Sequence, residues 1–285
     1  MPPRLHISMG HGRFAEEVPM AIVGRFAVLG IALALSGTAW AGPNEEAAYR
    51  RALQNLVRTT FEAKGSLETA SGRKIDLLYR HAYSDGVRRT WIEVTGSGEF
   101  KGQRWLVWDR DGGADKIWHF DPKTKRVTEV PESQWTSSFL GSNFALADFL
   151  FPDPDAYTFE LGGEENVGGE TFTVLRLAPK QKDKDRYAVR VYSVDPRAQR
   201  LVRGLFFDAQ GRAVARWIVE RTEQRGSEWF PSKQRVIELA AQKSTVLDLS
   251  DVRYEPELPA GTFEADGLAA AAKSPVPKDA TPAAR

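Results

Sequence analysis

Apolar or small residues recur at spacings of three and four along residues 45–64, which is the spacing of one face of an α-helix. The residues on this face are Ala48, Tyr49, Ala52, Leu53, Leu56, Val57, Thr60 and Phe61. Pro43 and Asn44 precede the stretch and Gly65 follows it, as expected for the two ends of a helix. The pattern therefore predicts one amphipathic helix over residues 45–64.

After this helix the hydrophobic period changes to two, which is typical of β-strands. Alternating segments lie near residues 73–81, 87–95, 103–109, 116–120, 126–130, 156–161, 170–178, 186–194, 200–208, 213–223, 230–240 and 244–254. Turn residues such as Ser84-Asp85-Gly86 and Asp121-Pro122-Lys123 separate neighbouring segments. Because short turns join antiparallel neighbours, we predict a mostly antiparallel sheet of about 11 or 12 strands.

Residues 132–151 form the one interior stretch without strand character. The stretch is rich in bulky apolar residues, is interrupted by Gly141 and is closed by Pro152 and Pro154, so short helical or irregular pieces are expected. A long apolar insertion between strands needs a surface to cover, and we therefore predict a lid over the sheet. The side chains expected to pack beneath it are Trp135, Phe139, Leu140, Phe144, Leu146 and Phe149.

The N-terminal segment has the three-part layout of a secretory signal peptide. Arg25 precedes an apolar run over residues 26–35, and the small-residue triplet Ala39-Trp40-Ala41 follows it. The run is shorter than the roughly 20 apolar residues of a membrane-spanning helix, so we predict cleavage after Ala41 and no permanent membrane span. The stretch before Met20 carries two glutamates, and Met20 is the better translation start. Export without a lipid-modified cysteine predicts a periplasmic protein.

The remainder of the chain is predicted to form a single domain over residues 42–265. Residues 266–285 consist mainly of Ala, Pro and Lys, which bury too little apolar surface to offset the entropy of ordering. We therefore expect a disordered tail from residue 266 onward.

Composition and charge exclude several functions. The full chain of 285 residues has Lys+Arg 39 and Asp+Glu 38. Without the first 41 residues, 36 basic and 36 acidic side chains remain, and the cations interleave with carboxylates, as in residues 180–186, which read as an exposed loop. No nucleic-acid partner is expected. The chain has no cysteine, which excludes disulfides, thiolate nucleophiles and cysteine-bound metals.

Few residues offer catalytic or metal-binding chemistry. His81 and His119 are far apart in sequence, so each is interpreted as an ordinary sheet histidine rather than a metal ligand. The spacing of Asp109, Asp111 and Asp115 does not fit a calcium loop and indicates a hairpin turn. We therefore predict no metal, no cofactor and no catalytic residue. An envelope hydrolase using carboxylates such as Asp109 and Asp115 is the weakest of the alternatives.

Aromatic residues stand out in the first half of the predicted sheet. Five of the seven tryptophans after residue 41 lie between residues 91 and 135. One interpretation is a large-residue core between sheet and insertion. The other is a hydrophobic cavity lined by rings, for which the candidates are Trp91, Trp105, Trp118 and Phe120. Several strands carry bulky apolar residues on both faces, so a second face of the sheet must also be covered.

The central residues carry a resemblance to a known family. The relevant runs are Ile117-Trp118-His119-Phe120-Asp121-Pro122, Arg126-Val127, Pro131, Ser133-Gln134, Ser138-Phe139-Leu140-Gly141-Ser142-Asn143-Phe144 and Asp148. They resemble the outer-membrane lipoprotein-sorting protein family, which has a LolA-like fold, and weaker matches extend the resemblance to roughly residues 70–268. The chain departs from the family pattern at His119, where an aromatic or apolar residue is usual, at Asn143, where Asp is usual, and at residues 145–147, which are more apolar.

The resemblance implies a mainly β fold with some α-helix: an unclosed, strongly curved antiparallel β-barrel with an N-terminal helix and a helical lid. It also implies a cavity that takes acyl chains, no cofactor and no covalent catalysis. The leading hypothesis is a periplasmic carrier, expected to be a monomer, for a lipid or acylated lipoprotein moving towards the outer membrane. An inner-membrane exporter and an outer-membrane acceptor are the expected partners. The alternative is an accessory subunit that docks on an exporter or envelope complex and carries nothing.

Overall fold

The structure is a computed structural model that describes residues 43–181 and 185–270. The predicted signal peptide and residues 271–285 of the predicted tail lie outside the described residues. Within the described ranges, no helix combines the length and the hydropathy that crossing a membrane requires.

The described chain consists of one helix, thirteen strands and a short final helix. The helices are α1 (Pro43–Gln54) and α2 (Ala265–Ala270). The strands of the first half are β1 (Phe61–Glu68), β2 (Lys74–Ser84), β3 (Val87–Val94), β4 (Arg104–Arg110), β5 (Lys116–Asp121) and β6 (Arg126–Glu129). The strands of the second half are β7 (Tyr157–Val167), β8 (Glu170–Pro179), β9 (Val189–Asp195), β10 (Arg200–Phe207), β11 (Ala213–Arg225), β12 (Glu228–Glu238) and β13 (Lys243–Tyr254).

All thirteen strands belong to one open, curved antiparallel sheet. The spatial order is β6-β5-β4-β3-β2-β1-β13-β12-β11-β10-β9-β8-β7, so the first and last strands of the chain are neighbours at the centre. They pair from Phe61 opposite Tyr254 to Glu68 opposite Val246. The strands β6 and β7 form the two edges, although they follow each other in sequence.

One strand, β1, was not predicted, and the predicted first helix was too long. All twelve predicted segments form strands, but β1 occupies residues that the 3.6-residue spacing assigned to the end of the helix. The chain leaves α1 at Gln54 because Val57 donates its backbone N–H to the carbonyl of Trp229, and Leu56 bridges the same residue. Pairing with a distant strand thus overrides a locally helical pattern.

The connection between β6 and β7, residues 130–156, runs from one edge of the sheet to the other. We call it the crossing segment, and it contains the predicted lid. In this part of the chain the structure has four short 3-10 turns, Glu132–Gln134, Phe139–Gly141, Leu146–Phe149 and Pro154–Ala156, rather than an α-helix. The prolines and Gly141 that interrupt this sequence account for the short pieces.

One face of the sheet, the inner face, carries the larger hydrophobic core. α1 contributes Tyr49, Ala52 and Leu53 to this core, and the crossing segment contributes Phe139 and Phe144. The strand side chains there come from both halves of the sheet, including Phe61, Leu67, Ile92, Val107, Leu175, Leu201, Val236 and Leu247. Helix and crossing segment therefore cover the same face.

The opposite, outer face carries a second and smaller cluster. Trp91, Leu106 and Phe120 are buried there against Leu268 of α2. Arg104 donates to the carbonyl of Leu268 at 3.1 Å, which ties α2 to the sheet. The expectation that a second face must be covered is met by this C-terminal segment.

The C-terminal segment corrects the predicted boundary of the domain. Residues 266–270 were expected to belong to a disordered tail, but they form most of α2. Trp108 also donates its indole N–H to the carbonyl of Phe263 at 3.0 Å, just before the helix. The Ala-rich composition concealed the helix because one buried leucine and backbone carbonyls make the attachment.

Replacing Leu268 by alanine is expected to lower the free energy of unfolding by about 3 kcal/mol, because Leu268 is fully buried and its loss leaves a cavity beside Trp91. The measurement is urea unfolding followed by tryptophan fluorescence. The control is Asp266→Asn, on the exposed side of α2, which should change little. Equal stability of wild type and Leu268→Ala would show that α2 does not support the outer face.

Candidate functional site

A cavity of about 100 Å³ lies between the inner face and the crossing segment. The crossing segment lines it with Phe144, Asp148, Phe149, Leu150 and Phe151. The strands contribute apolar side chains that include Phe61, Tyr79, Phe206, Trp217, Phe230, Val236 and Leu249. Small-molecule pockets usually measure about 300–1,000 Å³, so a long chain fits here only if side chains of the crossing segment move.

The crossing segment fills the space above the sheet with its own rings. Phe139 packs edge-on against Trp105 of β4 at 5.0 Å between ring centroids and against Phe149 at 5.1 Å. Phe149 also stacks near Phe144, which is 2% exposed. These side chains form a continuous aromatic layer between the sheet and solvent.

All six side chains predicted for the lid lie in or against the inner core. Phe139, Leu140, Phe144 and Leu146 are buried in it, and Trp135 and Phe149 pack against it while partly exposed. Their predicted role as a lid stays a proposal, but the structure brings them together on one face.

The four residues predicted to line a cavity divide between the two faces. Trp105 lies on the inner face, under the crossing segment. Trp91, Trp118 and Phe120 lie in the outer cluster with α2, and none of the four contributes to the cavity wall. The reason is the strand period of two, which places Trp105 and its neighbour Leu106 on opposite faces.

Asn143 anchors the crossing segment to β13. Its backbone N–H donates to the Thr245 hydroxyl at 3.0 Å, and that hydroxyl donates to the Asn143 side-chain oxygen at 3.0 Å. The Asn143 amide also donates to the carbonyl of Lys243 at 3.3 Å. An aspartate at this position could not donate the last bond, so the departure from the family pattern creates an anchor of its own.

Arg73, in the turn between β1 and β2, provides a second anchor. Its guanidinium donates to the carbonyl of Leu140 at 2.7 Å and pairs with Glu99 at 2.8 Å. Leu140 has φ of 54° and Gly141 has φ of 71°, both in the left-handed region. A leucine in the left-handed region has an unfavourable backbone conformational free energy, and burial of the Leu140 side chain offsets this cost.

His119, the other departure from the family pattern, stacks on the Trp105 ring at 4.8 Å. An imidazole thus takes the place of the usual aromatic or apolar side chain by presenting a flat surface. His81 lies at the cavity wall, is buried, and donates through Nε2 to the carbonyl of Val57 at 2.8 Å. Burial lowers the pKa of His81 to about 4, so its ring is neutral at neutral pH.

The cavity has a polar end next to α1. Arg88 reaches Asp109 at 3.4 Å and Asp111 at 2.7 Å, and it donates to the carbonyl of Leu53 in α1. Burial raises the pKa of Asp109 to about 7, against the opposing effects of Arg88 and of a hydrogen bond from the Phe151 backbone N–H. The carboxylate therefore touches the end of the crossing segment.

A second ion pair, between Arg190 of β9 and Asp185, also borders the cavity. Arg190 donates twice to Asp185, each time at 2.7 Å, and the Tyr157 hydroxyl donates to the same carboxylate at 2.6 Å. Burial alone would raise the pKa of Asp185, but the bonds from Arg190 and Tyr157 hold it below its ordinary value. Asp185, expected in an exposed loop, is in fact buried in this network.

Sequence reasoning missed these buried polar groups almost entirely. Tyr49, Arg88, Asp185 and Arg190 come from separate elements, and Tyr49 reaches the carbonyl of Pro152 at 3.1 Å. The available signal was an arginine inside each of two strand patterns at a position that should face the core. An inward-facing charge in a buried strand indicates a partner or a ligand.

The described residues contain no group of three or more His, Asp or Glu side chains arranged to hold a metal ion. The buried charges instead pair with one another.

Removing the Thr245 hydroxyl is expected to loosen the crossing segment selectively, since a Thr245→Val substitution leaves two polar groups of Asn143 without their partner. The expected cost is about 1–3 kcal/mol. Hydrogen exchange measured by mass spectrometry should speed up in peptides covering residues 130–156. The control Thr158→Val removes an exposed strand hydroxyl that donates to Ala178. Unchanged exchange in the crossing segment would show that Asn143 does not anchor it.

Comparison with solved structures identifies the class of fold. The chain shares its fold with a domain of the outer membrane lipoprotein-sorting proteins from Vibrio parahaemolyticus, with a TM-score of 0.72 and 20% identity, over 79% of this chain and 98% of that one. A DUF1329 family protein from Desulfovibrio piger is similar at a TM-score of 0.67 and 24% identity, over 79% and 98%. A LolA superfamily protein from Nitrosomonas europaea is similar at a TM-score of 0.59 and 18% identity, over 78% of this chain and 98% of that one. The LolA-like fold expected from the sequence is confirmed.

A family model matches residues 86–270 and is described only as an uncharacterized protein. Because the match covers more than half of the chain, the protein belongs to this family. No curated protein matches the chain.

Proposed function

We propose that the protein is a periplasmic carrier that binds acyl chains of lipids or lipoproteins between the inner face and the crossing segment, and releases them towards the outer membrane. The observation that carries this proposal is the aromatic layer: Phe139, Phe144 and Phe149 occupy the space that cargo would take. The crossing segment acts as a lid that fills the site when it is empty and covers the cargo when it is loaded.

The free energies of binding expected for an acyl chain suit a protein that must both bind and release it. Burial contributes about 0.8 kcal/mol per CH2, so a chain of about 16 carbons offers on the order of 10 kcal/mol of gross driving force. Displacing the rings of the lid opposes part of this gain, because those rings leave their own buried contacts. A carrier with such an internal competitor binds acyl chains without holding them irreversibly.

The charge and chemistry of the site fit a carrier better than an enzyme. Asp109 and Asp115 were the candidates for a hydrolase, but Asp109 is paired with Arg88 and bonded to the crossing segment. Asp115 accepts the backbone N–H of Arg110 at 2.9 Å, as expected for a hairpin turn. Each carboxylate thus has a structural partner, and we propose no catalytic activity, no cofactor and a monomeric state.

The test is mass spectrometry of protein released from the periplasm and purified without detergent. A carrier is expected to show mass increments that match acyl lipids and disappear after solvent extraction. The comparison is the Thr245→Val variant, whose lid is less firmly anchored and which should retain less lipid. Protein that is always free of lipid, even after incubation with envelope lipids, would exclude the carrier.

A docking subunit is the second candidate, and the small cavity volume favours it. In that case the inner core is only structural, and the fold presents its surface to an inner-membrane exporter or an outer-membrane acceptor. The same mass spectra separate the two functions, because a docking subunit brings protein partners and no lipid.

A further inference from the structure

The two edges of the sheet differ in length and in the side chains they expose. β6 at one edge has 4 residues, Arg126–Glu129, whereas β7 at the other edge has 11, Tyr157–Val167. β7 also carries Leu161 and Val167, two large hydrophobic residues that are 57% and 42% exposed. A long edge strand with exposed apolar side chains is able to pair with a further strand. No residue of β7 lines the cavity, so this surface is separate from the proposed cargo site.

The register shows which backbone groups of β7 point away from β8. A two-residue turn at residues 168–169, both with positive φ, joins the two strands and places Val167 opposite Glu170. Residues that flank such a turn form a hydrogen-bonded pair, and bonded and unbonded pairs then alternate along the strands. Glu164 and Asn166 therefore belong to unbonded pairs and turn their N–H and C=O groups outward.

A β-bulge in β7 shifts this alternation by one residue. Gly163 lies opposite Val174 and Leu161 lies opposite Leu175, so Gly162 is the extra residue. Leu161 is therefore the next residue with outward backbone groups. Within the part of the chain that the structure describes, the backbone of β7 bonds to no element other than β8. These outward groups are thus available to an added strand.

A pocket of about 220 Å³ lies beside β7, on the side of the sheet that α1 covers. Leu161 forms part of its wall together with Glu45 and Ala48 of α1 and with Thr173 and Val194 of the neighbouring strands. An apolar side chain of an added strand that packs on Leu161 would lie next to this pocket. The pocket therefore provides a place for a specific side chain beside the open backbone edge.

Two carboxylates at this surface form no ion pair within the described residues. Glu164 is exposed and lies opposite Thr173, which places it on the same side of the sheet as the pocket. Oε2 of Glu45 is buried in the pocket wall and accepts no hydrogen bond from a described residue. The wall also contains Arg51, so the acids outnumber the cation. A lysine or arginine of a partner would complement these charges.

The charges of β7 argue against a second copy of this chain as the partner. The strand contains Glu160, Glu164 and Glu165 and has no Lys or Arg. Pairing of β7 with β7 of another copy would bring the glutamates of both strands together, and like charges on adjacent strands are destabilising. Glu160 and Glu165 have arginine partners in the neighbouring strands, but Glu164 has none. A cationic segment of a different protein avoids this repulsion.

We propose that β7 and the pocket at Leu161 form a docking site on which an extended segment of another protein adds as a further strand. The segment carries an apolar side chain that packs on Leu161 and a lysine or arginine that pairs with Glu164 and Glu45. Backbone hydrogen bonds supply the affinity, and these side chains supply the specificity. The proposal does not depend on the carrier function, because a carrier and a docking subunit would both use this edge to recruit a protein.

The experiment measures binding of a dye-labelled synthetic peptide, acetyl-Lys-Thr-Leu-Thr-Lys-Thr-amide, by fluorescence anisotropy. One face of this peptide in the extended state carries both lysines and the leucine. Wild-type protein is expected to bind it, more weakly at high salt, and hydrogen exchange should slow in protein segments covering residues 157–167. A peptide with glutamate in place of lysine tests the charge. A peptide with N-methylated amides at alternate residues tests the backbone pairing.

Two protein variants locate the site. Glu164→Lys reverses the charge and should weaken the peptide about five-fold. Leu161→Thr removes the apolar contact at an exposed strand position and should also weaken it about five-fold. The control is Glu257→Lys, the same charge reversal at an exposed residue between β13 and α2, which should leave the affinity unchanged.

Loss of affinity in both variants and with the N-methylated peptide, with the control unchanged, supports the docking site. Equal binding of the N-methylated peptide would overturn strand addition, and equal binding of the glutamate peptide would overturn the cationic partner. Failure of wild-type protein to bind the peptide would overturn the site itself. A dimer of the protein alone in analytical ultracentrifugation that Leu161→Thr disrupts would show that a second copy is the partner instead. None of these results depends on bound lipid.

Discussion

Replacing Phe144 by aspartate is expected to strip bound lipid from the purified protein while the sheet stays folded. Phe144 is almost fully buried, belongs to the aromatic layer through its contact with Phe149, and lines the cavity. A carboxylate cannot be buried there without a partner, so the crossing segment has to move away from the inner face. The cargo then loses its cover on one side.

The expected loss of affinity is large. If the lid supplies half of the buried surface of a chain of about 16 carbons, its removal costs on the order of 5 kcal/mol of binding free energy, which is several powers of ten in affinity. Lipid content is measured by solvent extraction and mass spectrometry, and the fold by circular dichroism. The control is Ser137→Asp, which places the same charge on the exposed side of the crossing segment. Undiminished lipid in folded Phe144→Asp would refute the lid mechanism.

The stability advantage of an Asp109→Asn variant over wild type is expected to grow with pH. The pKa of Asp109 is raised from 3.8 to about 7 by burial, so the folded protein holds a proton that the unfolded chain releases. Stability supplied by this proton is complete below about pH 4 and is lost as pH rises through about 7. The amide side chain of the variant is neutral throughout this range and escapes the loss.

The size of the effect follows from the shift. A change of about three pKa units corresponds to at most about 4 kcal/mol of unfolding free energy. This free energy is shared between Asp109 and its partner Arg88. The measurement is urea unfolding of both proteins between pH 4.5 and 8.5. Asp208→Asn is a control of opposite sign, because backbone N–H bonding from Arg212 lowers the pKa of Asp208. A difference between Asp109→Asn and wild type that does not vary with pH would contradict the assignment.

The strands were predictable because each is a local pattern. Alternation and turn residues located twelve of the thirteen, and only β1 was missed, since Thr60 and Phe61 continue the helical spacing by coincidence. The position of the crossing segment was also predictable, because an apolar stretch without strand period needs a surface to cover. Its conformation, a series of 3-10 turns, was not.

The faces of the sheet and the buried ion pairs were beyond local reasoning. The alternation shows that Trp105 and Leu106 point to opposite sides, but the side that becomes the inner face depends on where α1 and the crossing segment pack. The Arg190–Asp185 pair joins a strand to a residue that looks like part of a charged loop. Leu268 lies in an Ala-rich end, and only its contact with Trp91 reveals its role.

The central position of β1 and β13 has a consequence for how the chain folds. Each half of the sheet is a run of consecutive hairpins, β1–β6 and β7–β13, which close small loops and form quickly. The pairing of β1 with β13 is the exception, since it joins residues from opposite ends of the domain. The crossing segment already tethers the far edges, so this seam is where the two halves come together to complete the fold.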